Sequence, residues 1–325
     1  MTKSYSINNE ESSNVLEDLF QPYNVGARPF LKWAGGKSQL LFKFQELYPK
    51  ELKARRIKKY YEPFLGSGAV FFDIVQNFDI DAAFLYDINE ELIITYRVIQ
   101  QDVNKLIDFL KRYQKTYHKL TKIQRKQYFY DQRHSYNTGR FTVDYDKYSE
   151  SWIPRAAQLI FLNKTCFNGL YRVNSKGEFN TPVGDYDKPT ICDEMNLLAV
   201  SKVLEKATIR KADFKQIKKD YAGDGFIYFD PPYRPISKTA SFKSYSKHDF
   251  GDSEQLQLAE LFTRLNEKGA QLMLSNSDPK NIDPSDNFFD EIYQAFNIQR
   301  IPAKRMINSD ASKRGEIQEI VITNY

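Results

Sequence analysis

Residues 230–233 have the sequence Asp-Pro-Pro-Tyr and follow an apolar run, FIYF, at 226–229. The Asp230 carboxylate and the Pro231 carbonyl can each accept one hydrogen from an exocyclic amine, while Tyr233 can stack on the ring that carries the amine. Consecutive prolines fix the direction of that carbonyl because they lock φ and supply no competing N–H. The tetrapeptide therefore predicts a site for a planar amine, although a strand ending in a proline turn would share this local sequence.

A second motif lies upstream, where YYEPFLGSGAVFF at 60–72 is typical of a strand, a glycine turn and a helix. Gly66 and Gly68 lack a Cβ, so the backbone can approach a ligand while the N–H groups of the following helix face the turn. The pattern indicates a nucleotide-binding turn. Phe71 replaces the third glycine of the dinucleotide fingerprint and no Gly-Lys-Ser/Thr follows Gly68, so neither NAD nor ATP is favoured.

Two further positions accompany this turn. A second strand is predicted at 83–87, and its last residue, Asp87, occupies the position from which a carboxylate reaches ribose hydroxyls in doubly wound sheets. A helix N-cap role for Asp87 is equally compatible with the local sequence, and the two roles can coexist. The segment PFLKWAGGKS at 29–38 lacks the upstream glycine of a phosphate-binding loop, so Lys37 is better interpreted as a point charge for a carboxylate, and Trp33 as a ring that can stack beside an adenine.

In order, these motifs resemble those of the Dam-type DNA adenine methyltransferases: KWAGGK at 32–37, EPFLGSG at 62–68 and DPPY at 230–233. The intervening FLNKTCFNGLYR at 161–172, continuing through GEFNTPVG at 177–184, is similar to that family's target-recognition hairpin. The resemblance covers most of the chain and follows the motif order of the alpha group of amino-methyltransferases. It implies an α/β fold, with a Rossmann-like S-adenosylmethionine-dependent methyltransferase sheet and an inserted, mostly helical target-recognition domain that carries a β-hairpin.

The resemblance implies S-adenosylmethionine as the cofactor and an adenine N6 amine, extruded from duplex DNA, as the acceptor. Asp230, Pro231 and Tyr233 would hold that amine toward a methyl group already activated by a sulfonium, so positioning would dominate and no metal would be required. Lys37 would meet the methionine carboxylate, and Asp213 the adenine amine of the cofactor. The implied cofactor contacts are Trp33, Lys37, Glu62, Phe64, Gly66, Gly68, Asp87, Asp213, Phe214 and Asp230.

The resemblance also implies a DNA-reading surface. Arg172 matches a position that contacts a guanine, and its guanidinium group can donate two hydrogen bonds, to O6 and N7, in the major groove. Asn168 is expected at the hairpin tip, and Asp185 departs from the pattern because a basic residue suits a site near phosphate better. Together the matches point to the target GATC. The implied DNA contacts are Asn168, Leu170, Arg172, Pro182 and Tyr186.

Composition agrees with a nucleic-acid partner without requiring one. The 325 residues carry a net charge of +5, and nine Lys or Arg lie between residues 111 and 140 against one acid, Asp131, with aromatic residues interleaved. This segment can follow a DNA backbone, or it can be the solvated face of a helical subdomain with its own aromatic core; the two interpretations have equal weight. The two cysteines, Cys166 and Cys192, form no CxxC or His-linked arrangement, which argues against zinc and against a disulfide-stapled secreted domain. A cytoplasmic monomer is expected.

The motif spacing predicts a catalytic domain from residues 28–90 and 200–325, interrupted by an insert at 91–199 that is too long for a loop. Residues 1–27 form a polar segment that is expected to be disordered. The Ser- and Lys-rich stretch at 234–252 predicts a loop that closes over the flipped base.

Hydrophobic patterns predict the other elements. Leu106, Ile107 and Leu110 share one helical face, and 156–162 is typical of a buried helix. The predicted elements after the DPPY motif are an amphipathic helix at 254–266 and strands at 270–276 and 319–325.

Two alternative functions remain open. Methylation of an RNA base or of cytosine N4 would use the same acceptor set, but the hairpin resemblance disfavours it. A DNA-binding regulator without turnover would retain the fold, but the intact Asp230, Tyr233 and glycine turn argue against that. The sequence is compatible both with a companion restriction endonuclease and with a solitary enzyme.

Overall fold

The computed structural model describes residues 26–234, 250–304 and 316–325. A seven-stranded sheet lies at the centre, with strand order β3-β2-β1-β4-β5-β7-β6. The strands are β1 Lys59–Glu62, β2 Ala82–Asp87, β3 Ala207–Lys211, β4 Gly225–Phe229, β5 Gln271–Ser277, β6 Asn297–Lys304 and β7 Glu316–Thr323. The α-helices are α1 Leu41–Leu47, α2 Lys50–Lys53, α3 Ala69–Asn77, α4 Glu90–Lys119, α5 Lys122–Gly139, α6 Trp152–Thr165, α7 Glu194–Leu204, α8 Ile217–Asp220, α9 Asp252–Glu267 and α10 Phe288–Ile292.

The sheet is parallel from β3 to β5, and β7 runs antiparallel between β5 and β6. The strand order reverses between β1 and β4, which makes their carboxyl ends the topological switch point where doubly wound sheets bind ligands. The expected α/β methyltransferase-type sheet is therefore confirmed. At such a switch point a ligand crevice is expected beyond the strand ends, here Glu62 of β1 and Phe229 of β4.

The central strand β4 explains why the core forms here. All five of its residues are buried, as expected for a parallel strand covered on both faces. Alternation along the strands divides the side chains between two cores. One core includes Tyr60, Phe226, Tyr228 and Met273, and the other Tyr61, Ile227, Phe229 and Leu272.

Helices α4, α5 and α6 follow β2 and build the helical insert. The side chain of Asn89 caps α4 by accepting from the Leu92 N–H at 3.1 Å, so the alternative interpretation of Asp87 as the N-cap is wrong. Leu106, Ile107 and Leu110 are buried on α4, as predicted. The predicted buried helix at 156–162 is confirmed within α6.

A buried ion pair fastens α6 to the first turn of α4 within this insert. Arg155 of α6, 5% exposed, donates through Nε to Glu91 Oε2 at 2.9 Å, in the first turn of α4. Tyr145 donates to the other oxygen of the same carboxylate at 2.6 Å. Glu91 lies just after β2, so this ion pair holds α6 close to the carboxyl ends of the parallel strands.

The predicted helix at 254–266 is confirmed as α9, and the predicted strands at 270–276 and 319–325 correspond to β5 and β7. Strands β3 and β6, at the two edges of the sheet, were not predicted. Residues 1–25 of the predicted N-terminal segment and 235–249 of the predicted closing loop lie outside the described residues. No helix among the residues that the structure describes is long and apolar enough to cross a membrane.

Candidate active site

The glycine turn after β1 and the DPPY segment after β4 lie side by side. β1 and β4 are adjacent parallel strands, with Lys59 opposite Gly225 and Tyr61 opposite Ile227. Their carboxyl ends therefore meet at the same edge, where Glu62 is 2% exposed. Burial raises the pKa of Glu62, and the neighbouring charge of Asp230 adds to that rise. The two predicted motifs thus border one crevice.

The glycine turn is built from backbone that other residues tolerate poorly. Gly66 and Gly68 have φ values of +47° and +70°, and Gly68 caps the start of α3. A Cβ on Gly68 would lie 2.7 Å from the Tyr96 hydroxyl oxygen, so the turn has no room for a side chain there.

Asp87 fixes the shape of this turn. Its carboxylate accepts from the Gly66 N–H at 3.0 Å and from the Asn89 N–H at 2.9 Å. Burial raises the pKa of Asp87, and these two backbone donors act against the rise. A carboxylate offers about four lone-pair sites, so Asp87 retains acceptor capacity after both bonds are made.

Lys37 is paired with the carboxylate of Asp230. The ammonium donates to Asp230 Oδ2 at 2.8 Å, lies 2.6 Å from Oδ1 and also donates to the Gly35 carbonyl at 2.8 Å. Its Nζ lies 4.9 Å from the centroid of the Tyr233 ring. Two of the three ammonium hydrogens are thus donated, one to Gly35 and one to Asp230. Burial raises the pKa of Asp230, and the charge of Lys37 opposes that rise.

Three residues that the sequence analysis missed support the DPPY segment. Ser275 on β5 donates to Asp230 Oδ1 at 3.3 Å, and Gln255 on α9 donates to the Pro232 carbonyl at 3.2 Å. Glu319 on β7 accepts from the Tyr233 hydroxyl at 2.7 Å. The clue to Glu319 was a single acid within the apolar terminal strand EIVIT.

Trp33 lies between the glycine turn and the recognition segment. Its ring stacks on Tyr171 with centroids 4.9 Å apart, and a Cβ on Gly66 would come within 3.2 Å of Trp33 Cδ1. Tyr171 therefore occupies part of the aromatic surface that was expected beside the cofactor's adenine. The side chain of Asn163 makes a second link, because it donates to the carbonyls of Lys32 and Gly169 at 2.9 and 2.8 Å.

Asp213 and its neighbours form the far end of the catalytic edge. Asp213 caps a short 3-10 turn by accepting from the Lys215 N–H at 3.0 Å, and Phe214 stacks on Phe64 at 5.5 Å. A surface recess of about 420 Å³ opens here at the end of β3. Residues Lys211, Ala212, Asp213, Lys215, Gln216 and Lys219 line the recess.

The recognition hairpin presents its implied DNA contacts at the surface. Arg172, Asn168 and Pro182 are exposed, while Leu170 and Tyr186 are half-buried. Asn168 lies in the 3-10 turn Phe167–Gly169 at the base of the hairpin, so its expected place at the tip is wrong. Arg172 donates through Nε to Asn180 Oδ1 at 2.7 Å, which leaves both terminal nitrogens for other partners.

Side chains of α5 hold this hairpin by its backbone. Asn137 donates to the Phe179 carbonyl at 3.0 Å and accepts from the Phe179 N–H at 2.8 Å. Arg133 donates to the Thr181 carbonyl at 3.3 Å, and Arg125 donates to the Asp187 carbonyl.

The aromatic residues of the 111–140 segment pack into the insert, with Tyr117, Phe129 and Tyr136 all buried. These aromatics therefore pack inward, but they share one hydrophobic core with Tyr60 and Phe226 of the sheet and do not form a core of their own. Asp185, the departure from the family pattern, pairs with Lys122 at 2.7 Å on the surface. Among the described residues, no group of three or more His, Cys, Asp or Glu could hold a metal ion.

Comparisons with known proteins agree with this geometry. Residues 33–307 match the family model of the D12 class N6 adenine-specific DNA methyltransferases. The chain is 46% identical to Type II methyltransferase M.MjaIII of Methanocaldococcus jannaschii, over 92% of this chain and 99% of the relative. It is 38% identical to Type II methyltransferase M1.LlaDCHI of Lactococcus lactis subsp. cremoris, over 95% and 99% respectively. It is 30% identical to the DNA adenine methylase of Haemophilus influenzae, over 90% and 92%.

Proposed function

Because this chain belongs to the D12 class N6 adenine-specific DNA methyltransferases, we propose that it moves a methyl group from S-adenosylmethionine to N6 of an adenine flipped out of a GATC site. One observation carries the proposal: the glycine turn and Asp230 follow β1 and β4, which are adjacent parallel strands, so both lie at the same edge of the sheet. A methyl donor bound at the glycine turn and a target base bound at Asp230 would then lie next to each other on the same side of the sheet.

The residues at the β1 and β2 ends fit the proposed cofactor. The Gly66 to Gly68 turn leaves a cradle that a side chain would fill, and the buried Glu62 and half-buried Asp87 carboxylates favour a ligand that carries hydroxyl donors and a positive charge. Asp87 would accept from ribose hydroxyls, and Asp213 with Phe214 would border the adenine. When bound, S-adenosylmethionine supplies a sulfonium-activated methyl group.

The protein's contribution to the transfer is positioning. Asp230 and the Pro231 carbonyl would each accept one hydrogen of the target N6 amine, which directs its lone pair toward the methyl group. Tyr233 would stack on the extruded base and offset part of the unstacking cost of a few kcal/mol. Asp230 would also stabilise the positive charge that develops on the nitrogen during transfer.

In this proposal Lys37 lies between the part of the site that binds the cofactor and the part that binds the target base. The ammonium donates to the Gly35 carbonyl and to Asp230 Oδ2, and Asp230 Oδ1 lies 2.6 Å away, so contact with the methionine carboxylate would compete with its pairing to Asp230. Its ammonium also lies between the Asp230 carboxylate and the Tyr233 ring, where the target amine would bind. Cofactor loading would therefore draw Lys37 away and open Asp230 to the base.

Target reading is assigned to the hairpin. The terminal nitrogens of Arg172 would form the fork to guanine O6 and N7, while Asn180 holds the Nε of the same side chain. Residues 91–199 would form the target-recognition domain, and 28–90 with 200–325 the catalytic domain. Leu170 and Pro182 would contact the thymine methyl, Asn168 and Tyr186 the surrounding DNA.

The test is transfer of a labelled methyl group to matched duplexes that contain GATC, a one-base variant of it, or GATC already methylated at N6. Digestion to nucleosides then identifies the product. We expect N6-methyladenine only in the unmethylated GATC duplex. N4-methylcytosine, or label in RNA rather than DNA, would support the alternative acceptor. Equal labelling of the one-base variants would remove the GATC assignment while leaving the family activity intact.

A further inference from the structure

We propose that Glu319 is a positioning residue of the methyl-transfer site, which sets the orientation of the Tyr233 ring for stacking on the target adenine. The inference rests on the function proposed above, in which Tyr233 contacts the base. It adds a residue from β7, a strand that none of the sequence motifs includes.

The contact joins two distant parts of the chain at the catalytic edge. The Tyr233 hydroxyl donates to Glu319 Oε1 at 2.7 Å, and the Glu319 side chain is buried, with 7% of the residue exposed. The ring is held at its other end by backbone that follows two prolines, whose φ angles are fixed. A ring that is fixed at both ends loses little further freedom when a base stacks on it.

The chemistry of the acceptor suggests more than a structural link. Burial raises the pKa of Glu319, and the ammonium of Lys37 is the main influence that opposes this rise. A buried carboxylate is a costlier acceptor than a neutral amide, so an interaction that served stability alone would not require one. The same Lys37 pairs with Asp230, so Glu319 belongs electrostatically to the site that binds the amine.

The sheet order shows which half of the site Glu319 serves. The glycine turn, Asp87 and Asp213 follow β1, β2 and β3, on one side of β4. β7 lies on the opposite side, beyond β5, so the hydrogen bond directs the Tyr233 ring away from these cofactor motifs. Glu319 should therefore influence the step that involves the base and leave cofactor binding unchanged.

The experiment is a double-mutant cycle on the full-length protein, with Glu319→Ala, Tyr233→Phe and the two combined. Single-turnover transfer to a GATC duplex should fall roughly 10- to 100-fold in Glu319→Ala, as expected for a lost hydrogen bond to a charged group. Tyr233→Phe should lose a similar factor, and the double variant should fall no further. The Kd of S-adenosylhomocysteine should stay within about twofold of the wild-type value, since the residues that follow β1, β2 and β3 are unchanged and Lys37 keeps its bonds to Gly35 and Asp230.

Glu319→Gln keeps an acceptor oxygen at the same place and should recover most of the rate, which separates orientation from folding. Gln318→Ala is the matched control, because it lies one residue earlier on β7 and points to the other sheet face. Losses that multiply in the double variant, or a parallel loss of S-adenosylhomocysteine binding, would overturn the inference. Failure of the wild-type protein to methylate GATC would instead refute the proposed function.

Discussion

The catalytic edge and the recognition hairpin are built by different means. Where the glycine turn and the DPPY segment meet, β1 and β4 pair directly; Lys37 and Glu62 are 3% and 2% exposed, and Asp230 and Tyr233 are half-buried. The hairpin contains only two isolated β-bridges, Cys166 with Val183 and Val173 with Phe179. A few further backbone hydrogen bonds join its arms, and side chains of α5 and α6 bond to its backbone as well.

The difference suggests that the two regions tolerate substitutions to different degrees. At the ends of β1 and β4, backbone hydrogen bonds and buried side chains hold the groups in place, so we expect few substitutions to be tolerated there. A hairpin held by side chains can alter its contacts through a few substitutions while the sheet stays the same. Four predictions test this contrast, from the largest expected effect to the smallest.

Asp230→Asn should reduce methyl transfer at least about 10⁴-fold, because the variant loses both the charge that stabilises the transition state and one acceptor that positions the amine. Single-turnover transfer measures the loss, and a gel shift should show DNA binding close to that of the wild type. Asp131→Asn, on the exposed surface of α5, is the matched control. Transfer by Asp230→Asn within tenfold of the wild-type rate would show that the catalytic edge does not work as proposed.

Glu91→Ala should lower the free energy of unfolding by about 3 to 5 kcal/mol, because it leaves the Arg155 guanidinium buried without its partner. Urea denaturation measures the change. Glu205→Ala removes an exposed partner of Lys202 and should cost less than about 1 kcal/mol. Equal losses in the two variants would mean that the Glu91–Arg155 pair does not hold α6 against α4.

Arg172→Ala should weaken discrimination at one base of the target by about 1 to 3 kcal/mol, the usual value of a bidentate contact to guanine. The measurement is the ratio of kcat/KM for GATC and for each one-base variant. Lys176→Ala, an exposed cation on the same hairpin, should lower all these values together and leave the ratio unchanged. A ratio that stays constant in Arg172→Ala would place target reading elsewhere.

Asn137→Ala should have the smallest effect, about 0.5 to 1.5 kcal/mol per hydrogen bond lost, and it should act on the hairpin alone. Hydrogen exchange at the Phe179 amide should accelerate, while the Kd of S-adenosylhomocysteine stays constant. Thr138→Ala, the next residue, bonds only to its own helix and serves as the control. Unchanged protection of the Phe179 amide would show that the hairpin holds its shape without α5.

The sequence predicts most of the central sheet because these strands carry their own pattern. FIYF in β4 is apolar throughout, and β2 and β5 likewise have short apolar runs. Strand β3 has a single buried residue, Ile209, and β6 contains Pro302 and Arg300, so both edge strands lack a hydrophobic pattern. Their place in the sheet depends on neighbours distant in sequence, which local patterns do not reveal.

The same reason separates the site residues that were predicted from those that were missed. Asp230, Tyr233 and the glycine turn belong to contiguous motifs, so their chemistry can be predicted from the sequence alone. Ser275 and Glu319 acquire a role only when β5 and β7 are placed beside β4. The sequence could not decide which residue caps α4, because Asp and Asn are both favoured at that position. In the structure the Asp87 carboxylate accepts from the Gly66 N–H, and Asn89 is the cap.

Asn163 bears on how specificity could be engineered in this protein. Its amide ties the main chain of Lys32, beside the cofactor motif, to Gly169 at the base of the hairpin. A chimera that received only a foreign hairpin would separate that loop from the two helices that shape it. Grafts that exchange α5, α6 and the hairpin as one cassette should keep their donor's target preference, whereas shorter grafts should methylate poorly.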